Sequence, residues 1–126
     1  FMIDQGWQHT GMTRLVVTES MHVRKERMAE LSDACIALPG GVGTLEELLE
    51  IITWKQLGLY MKPIVVLNTQ DYFSPLLRQL DQAVEQQFMS SLHATLWQVA
   101  ATPEEAFRLA VETPPLQEPI RKFAAL

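Results

Sequence analysis

Between Pro39 and Glu47 the chain reads Pro-Gly-Gly-Val-Gly-Thr-Leu-Glu-Glu, placing glycines at 40, 41 and 43 just ahead of a pair of carboxylates. Glycines leave backbone N–H groups approachable, because a ligand there meets no Cβ. If a helix opens directly behind them, its first N–H groups have no intrahelical acceptor and its dipole favours negative charge, which is how phosphate is bound. Glu46, Glu47 and Glu50 would then occupy the early turns, where a carboxylate can orient water or stabilise developing positive charge. Thr44-x-x-Glu47 is at the same time a capping box, in which threonine and glutamate close off the helix's own donors. Capping explains Thr44 and Glu47 but not the glycines, each of which costs backbone entropy and gains no packing. The residues alone leave a ligand-binding turn and a purely structural turn both open. Neither the G-x-G-x-x-G fingerprint of dinucleotide sites nor a Walker loop is present.

The elements around this turn alternate. Ala34 to Leu38 is a short continuous apolar run, as a parallel strand buried on both sides requires. A helix is expected from Thr44 to Leu57, with Leu45, Leu48, Leu49 and Ile52 at helical spacing and Gly58 as its stop. Leu15 to Thr18, Ile64 to Asn68 and Leu96 to Ala100 read as further strands. Helices are expected from a Ser20 cap to about Leu31, from Ser74-Pro75 to about Gln87, and from Thr102-Pro103 to near Val111. Four strands alternating with helices imply an α/β fold, a parallel sheet with right-handed crossovers whose ligands bind beyond the carboxyl ends of the strands. Residues 1–112 read as one domain and 113–126 as a proline-containing, loosely packed tail.

The sequence has 126 residues, 48% of them hydrophobic and 20% charged, the balance of a globular domain. A net charge of −5 and no Lys/Arg-rich run argue against nucleic-acid or acidic-membrane partners, both of which need many cationic contacts. The single Cys35 allows no intrachain disulfide and no cysteine-based zinc site. His9, His22 and His93 show no metal-ligand spacing and no partnered nucleophile, and read as structural. No apolar run reaches the length of roughly 20 residues that spans a bilayer, and a cytoplasmic setting is expected. The opening Phe-Met-Ile-Asp-Gln-Gly-Trp reads as the exit from an earlier element.

Two segments taken together carry a resemblance. Ser20-Met21-His22-Val23-Arg24-Lys25, followed by Pro39 to Glu47, resembles the LONELY GUY family, long labelled "lysine decarboxylase-like". The likeness continues through Leu48 to Gly58, Lys62-Pro63, Asn68 and the aromatic pair Tyr72-Phe73. It implies a Rossmann-like fold with helices on both faces of a parallel sheet, of which this chain would lack an N-terminal strand-helix-strand portion. It also implies hydrolysis of the N-glycosidic bond of a nucleoside 5′-monophosphate, a cytokinin nucleotide or AMP, to free base and ribose 5-phosphate. No metal or other cofactor is implied, and the expected assembly is a homodimer. Arg24 and Glu47 match the family's catalytic pair; Lys25, Gly41, Val42, Gly43, Thr44, Leu45, Glu46 and Thr53 match its substrate-contacting set. Val42 stands where many members have tyrosine or leucine.

In that chemistry the sugar becomes cation-like as the C–N bond breaks. Glu47 would stabilise that charge or orient water while the phosphate anchors the substrate. Arg24, always protonated and able to make paired hydrogen bonds, would hold the phosphate or orient the substrate against Glu47. The competing reading is a non-catalytic carrier of nucleotide or molybdenum cofactor. A true lysine decarboxylase would need a pyridoxal phosphate site, which this short chain does not display.

Overall fold

The structure, a computed structural model, describes residues 21–118; the strand expected at Leu15 to Thr18 and the Ser20 cap lie outside them. It forms two units, residues 1–32 and 33–126. The described part of the first is helix α1, Met21–Leu31. Its charged residues at 24 to 27 and 30 leave no continuous apolar face, and Met28 and Leu31 are exposed rather than packed.

The second unit alternates strand and helix: β1 Cys35–Ala37, α2 Val42–Gln56, β2 Ile64–Leu67, α3 Ser74–Glu85, β3 Gln98–Ala100 and α4 Pro103–Glu112. The strands form a parallel sheet in the order β1-β2-β3, with Ala37 beside Val66 and Leu67 beside Ala100. This is the α/β architecture expected. The core lies around β2, all four of whose residues are buried. Its Val65 and Leu67 pack with Ala100 against Ala106, Leu109 and Ala110 of α4, while alternation along the strand sends Ile64 and Val66 to the other face, equally buried.

The strand buried on both sides is therefore β2 and not β1. In β1 only Ala37 is buried, and Ile36 and the following Leu38 are exposed. The central position makes the difference, since β2 is paired along both edges and β1, among the described strands, along one. The last strand is also shorter than its apolar run, because Leu96 ends a single 3-10 turn at His93–Thr95. His93 is buried there, its Nδ1 accepting from the Ser90 N–H at 3.4 Å.

Local chemistry explains the helix ends. Gly58 takes a φ of 82° and closes α2, its N–H donating to Lys55 C=O at 3.1 Å and that of Leu59 to Trp54 C=O at 2.7 Å. Thr102 caps α4, its Oγ1 accepting from Glu105 N–H at 3.2 Å while the Glu105 carboxylate accepts from Ala101 N–H at 3.1 Å. Two hydrogen bonds tie the start of the tail: Thr113 Oγ1 donates to Gln98 Oε1 at 2.9 Å, and Leu116 N–H donates to Met61 C=O at 2.8 Å.

Candidate functional site

The glycine turn lies where the sequence puts it, between the carboxyl end of β1 and the N-terminus of α2. The helix starts two residues earlier than expected, at Val42, with Gly41 as N-cap and no side-chain capping bond. Thr44 is thus inside the first turn, and the capping box with Glu47 does not form. The first turn carries no acidic residue, which moves Glu46 and Glu47 into the second. A Cβ on Gly40 would run into Oγ1 of Thr44. Gly40 therefore owes its identity to packing.

Gly41 and Gly43 are different. Neither has a positive φ, and a Cβ on either would meet nothing within 4 Å. Both are exposed. Neither backbone conformation nor internal packing requires glycine there, and the missing side chains leave the helix's N-terminal N–H groups open to a ligand. Val42 between them is 82% exposed. Leu45 and Thr44 are half-buried.

Glu47 stands four residues after Gly43, on the same face of α2 and about 6 Å further along the axis. Glu47 is exposed there. Glu47 also lies near Cys35 of β1: burial raises the thiol's pKa, and the Glu47 charge raises it further. Glu46 is exposed on the adjacent face. Thr53 lies about 15 Å beyond Gly43 along the helix, too far to share one phosphate with the turn; its Oγ1 donates to Leu49 C=O at 2.8 Å. A ligand touching both would do so with different ends.

Arg24 and Lys25 belong to the first unit, where they are consecutive, half-buried residues of α1. Consecutive helical positions diverge by about 100°, so the two cations serve different directions. Among the described residues no group of His, Cys, Asp and Glu could hold a metal ion, and no helix is long and apolar enough to cross a membrane.

One contact escaped the sequence reading. The Tyr72 hydroxyl donates to the Gly40 carbonyl, joining the loop after β2 to the glycine turn after β1. Tyr72 had shown only as one of an aromatic pair. The available signal was its place beyond the carboxyl end of a strand that neighbours β1.

A family model described as "Possible lysine decarboxylase" matches residues 1–110. Among curated relatives, the chain is 48% identical over 100 residues to the "Probable cytokinin riboside 5'-monophosphate phosphoribohydrolase LOGL2" of Oryza sativa subsp. japonica, covering 79% of this chain and 41% of that one. It is 52% identical over 82 residues to a "Cytokinin riboside 5'-monophosphate phosphoribohydrolase" of Rhodococcoides fascians, covering 65% of this chain and 41% of that protein. It is 49% identical over 98 residues to the enzyme of that name designated LOG3 in Arabidopsis thaliana, covering 78% and 46%. The chain thus spans less than half the length of these relatives. With the model matched across nearly all of the chain, and its glycine turn seated at the N-terminus of α2, this chain belongs to the LONELY GUY family.

Proposed function

We propose that this chain carries the phosphate-binding turn and catalytic carboxylate of a nucleoside 5′-monophosphate phosphoribohydrolase, which adds water across the N-glycosidic bond to give free base and ribose 5-phosphate. The observation that carries the reading is the pair of glycines, Gly41 and Gly43, that packing does not require, at a helix N-terminus with Glu47 one turn behind. The N–H groups at 41 to 44 would hold the phosphate, with Thr44, Leu45 and Val42 shaping the turn. Anchored there, the ribose would lie toward Glu47, whose negative charge stabilises the cation-like sugar or orients the attacking water. Arg24 and Lys25 would supply the cationic counterpart, and Glu46 and Thr53 contacts further from the phosphate. The named activity of the relatives supports a cytokinin riboside 5′-monophosphate as substrate; AMP as a second substrate and a homodimer as the working assembly belong to the same proposal.

Incubation with AMP and with isopentenyladenosine monophosphate should release the free base, read by chromatography. Glu47→Gln should lower kcat by on the order of 10² to 10⁴ while leaving nucleotide affinity nearly intact. Nucleotide that binds and stays whole would overturn the enzymatic reading in favour of a carrier.

A further inference from the structure

We infer that Tyr72 is a positioning residue for the anion-binding turn: by holding the Gly40 carbonyl, its hydroxyl aims the Gly41 N–H at the phosphate of a bound nucleoside monophosphate. The inference rests on the nucleotide reading of the glycine turn.

In a trans peptide the C=O and the next N–H point in opposite directions across one plane, and the chain contains no cis bond among the described residues. A donor that grips the Gly40 oxygen therefore turns the Gly41 N–H away from itself. Gly41 is the N-cap of α2, so that N–H joins the outward-facing donors of the first turn. Gly40 is confined from a second direction by Thr44, which leaves no room for a Cβ. The peptide plane ahead of the helix is thus held by the Tyr72 hydroxyl, beside a Thr44 side chain that lies close to Gly40.

The loop that presents Tyr72 is itself tied down. Asn68 Oδ1 accepts from Phe73 N–H at 2.7 Å, and Asn68 Nδ2 donates to Ser74 Oγ at 3.1 Å. Phe73 is fully buried, and the Tyr72 ring packs edge-on against it with centroids 5.2 Å apart. Between Asn68 and Tyr72, Gln70 and Asp71 both take left-handed backbone, with φ of 54° and 58°. Two consecutive left-handed residues without a glycine make an expensive turn, of the kind found where a loop has a task. Here the turn delivers a half-exposed tyrosine to the neighbouring strand's loop, where burial of the ring would not explain it.

The test compares the parent chain with Tyr72→Phe, which keeps the ring and its packing and removes only the hydroxyl. Calorimetric titration with AMP, inorganic phosphate and adenosine separates the phosphate contribution from the rest. Loss of one neutral hydrogen bond predicts roughly five- to tenfold weaker AMP and phosphate binding, unchanged adenosine binding, and, under turnover, a rise in KM with little change in kcat. Equal AMP affinity in the two proteins would overturn the inference, as would an equal loss for AMP and adenosine, which marks general loosening. A parent that binds neither AMP nor phosphate would overturn it too. AMP bound selectively by the parent but never hydrolysed would remove the hydrolase reading and leave the role of Tyr72 standing.

Discussion

Gly40 and Thr44 are packed so tightly that a Cβ on the glycine would lie 3.0 Å from the threonine's Cβ and run into its hydroxyl. Gly43, three residues on, faces open space. The same substitution at the two positions should therefore act in opposite directions. Gly40→Ala should cost about 1–3 kcal/mol by forcing Thr44 aside. Gly43→Ala should raise stability by up to about 1 kcal/mol, because alanine suits a helix better than glycine, and still weaken AMP binding by standing a methyl group before the N–H donors. Urea denaturation and AMP titration of both variants measure the contrast.

Cys35 reports on Glu47 without any substrate. The thiol's pKa is raised first by burial and then by the Glu47 charge. Glu47→Gln should bring it part of the way down, leaving the larger effect of burial in place. The thiolate absorbance, followed across an alkaline pH series, should shift to lower pH in the variant. An unchanged titration would mean that Glu47 does not lean toward β1.

Lys55, in the last turn of α2, is 6% exposed, and burial lowers its pKa below the usual 10.5. Below the lowered value folded and unfolded chains both hold the proton, and the folded state bears the full desolvation cost. Between that value and 10.5 the unfolded chain binds more protons, so this residue makes stability rise with pH across the window. Lys55→Met should stabilise the protein at neutral pH by about 1–3 kcal/mol and flatten the alkaline rise. Denaturant midpoints at neutral and alkaline pH check both.

Gln87 closes α3 in the geometry that Gly58 uses for α2. Its φ is 66°, its N–H donates to Val84 C=O at 3.0 Å, and that of Phe88 donates to Ala83 C=O at 2.8 Å. Gln87→Gly should therefore stabilise by about 0.5–1 kcal/mol, and Gly58→Ala should destabilise by about 1 kcal/mol. Thermal unfolding midpoints of the two variants should move in opposite directions.

The sequence by itself determined what is local. The order of strands and helices, the parallel α/β class, the stop at Gly58 and the cap at Thr102 each follow from residues within a turn or two of the feature they specify. So does the place of the glycine turn behind a strand and ahead of a helix. The tertiary structure decided the rest. Thr44 looked like a cap because its spacing to Glu47 is right, yet the helix begins at Val42 and the cap falls to Gly41. The β1 run looked buried on both faces because it is apolar, but the central place and full burial belong to β2, and strand order is not written in any one strand. Tyr72 reaches Gly40 across 32 residues of chain. That reach exists because β1 and β2 run parallel with Ala37 beside Val66, which sets their carboxyl-end loops side by side. A hydroxyl and a carbonyl so distant in sequence meet only once the sheet has formed, so no periodicity or motif could announce them.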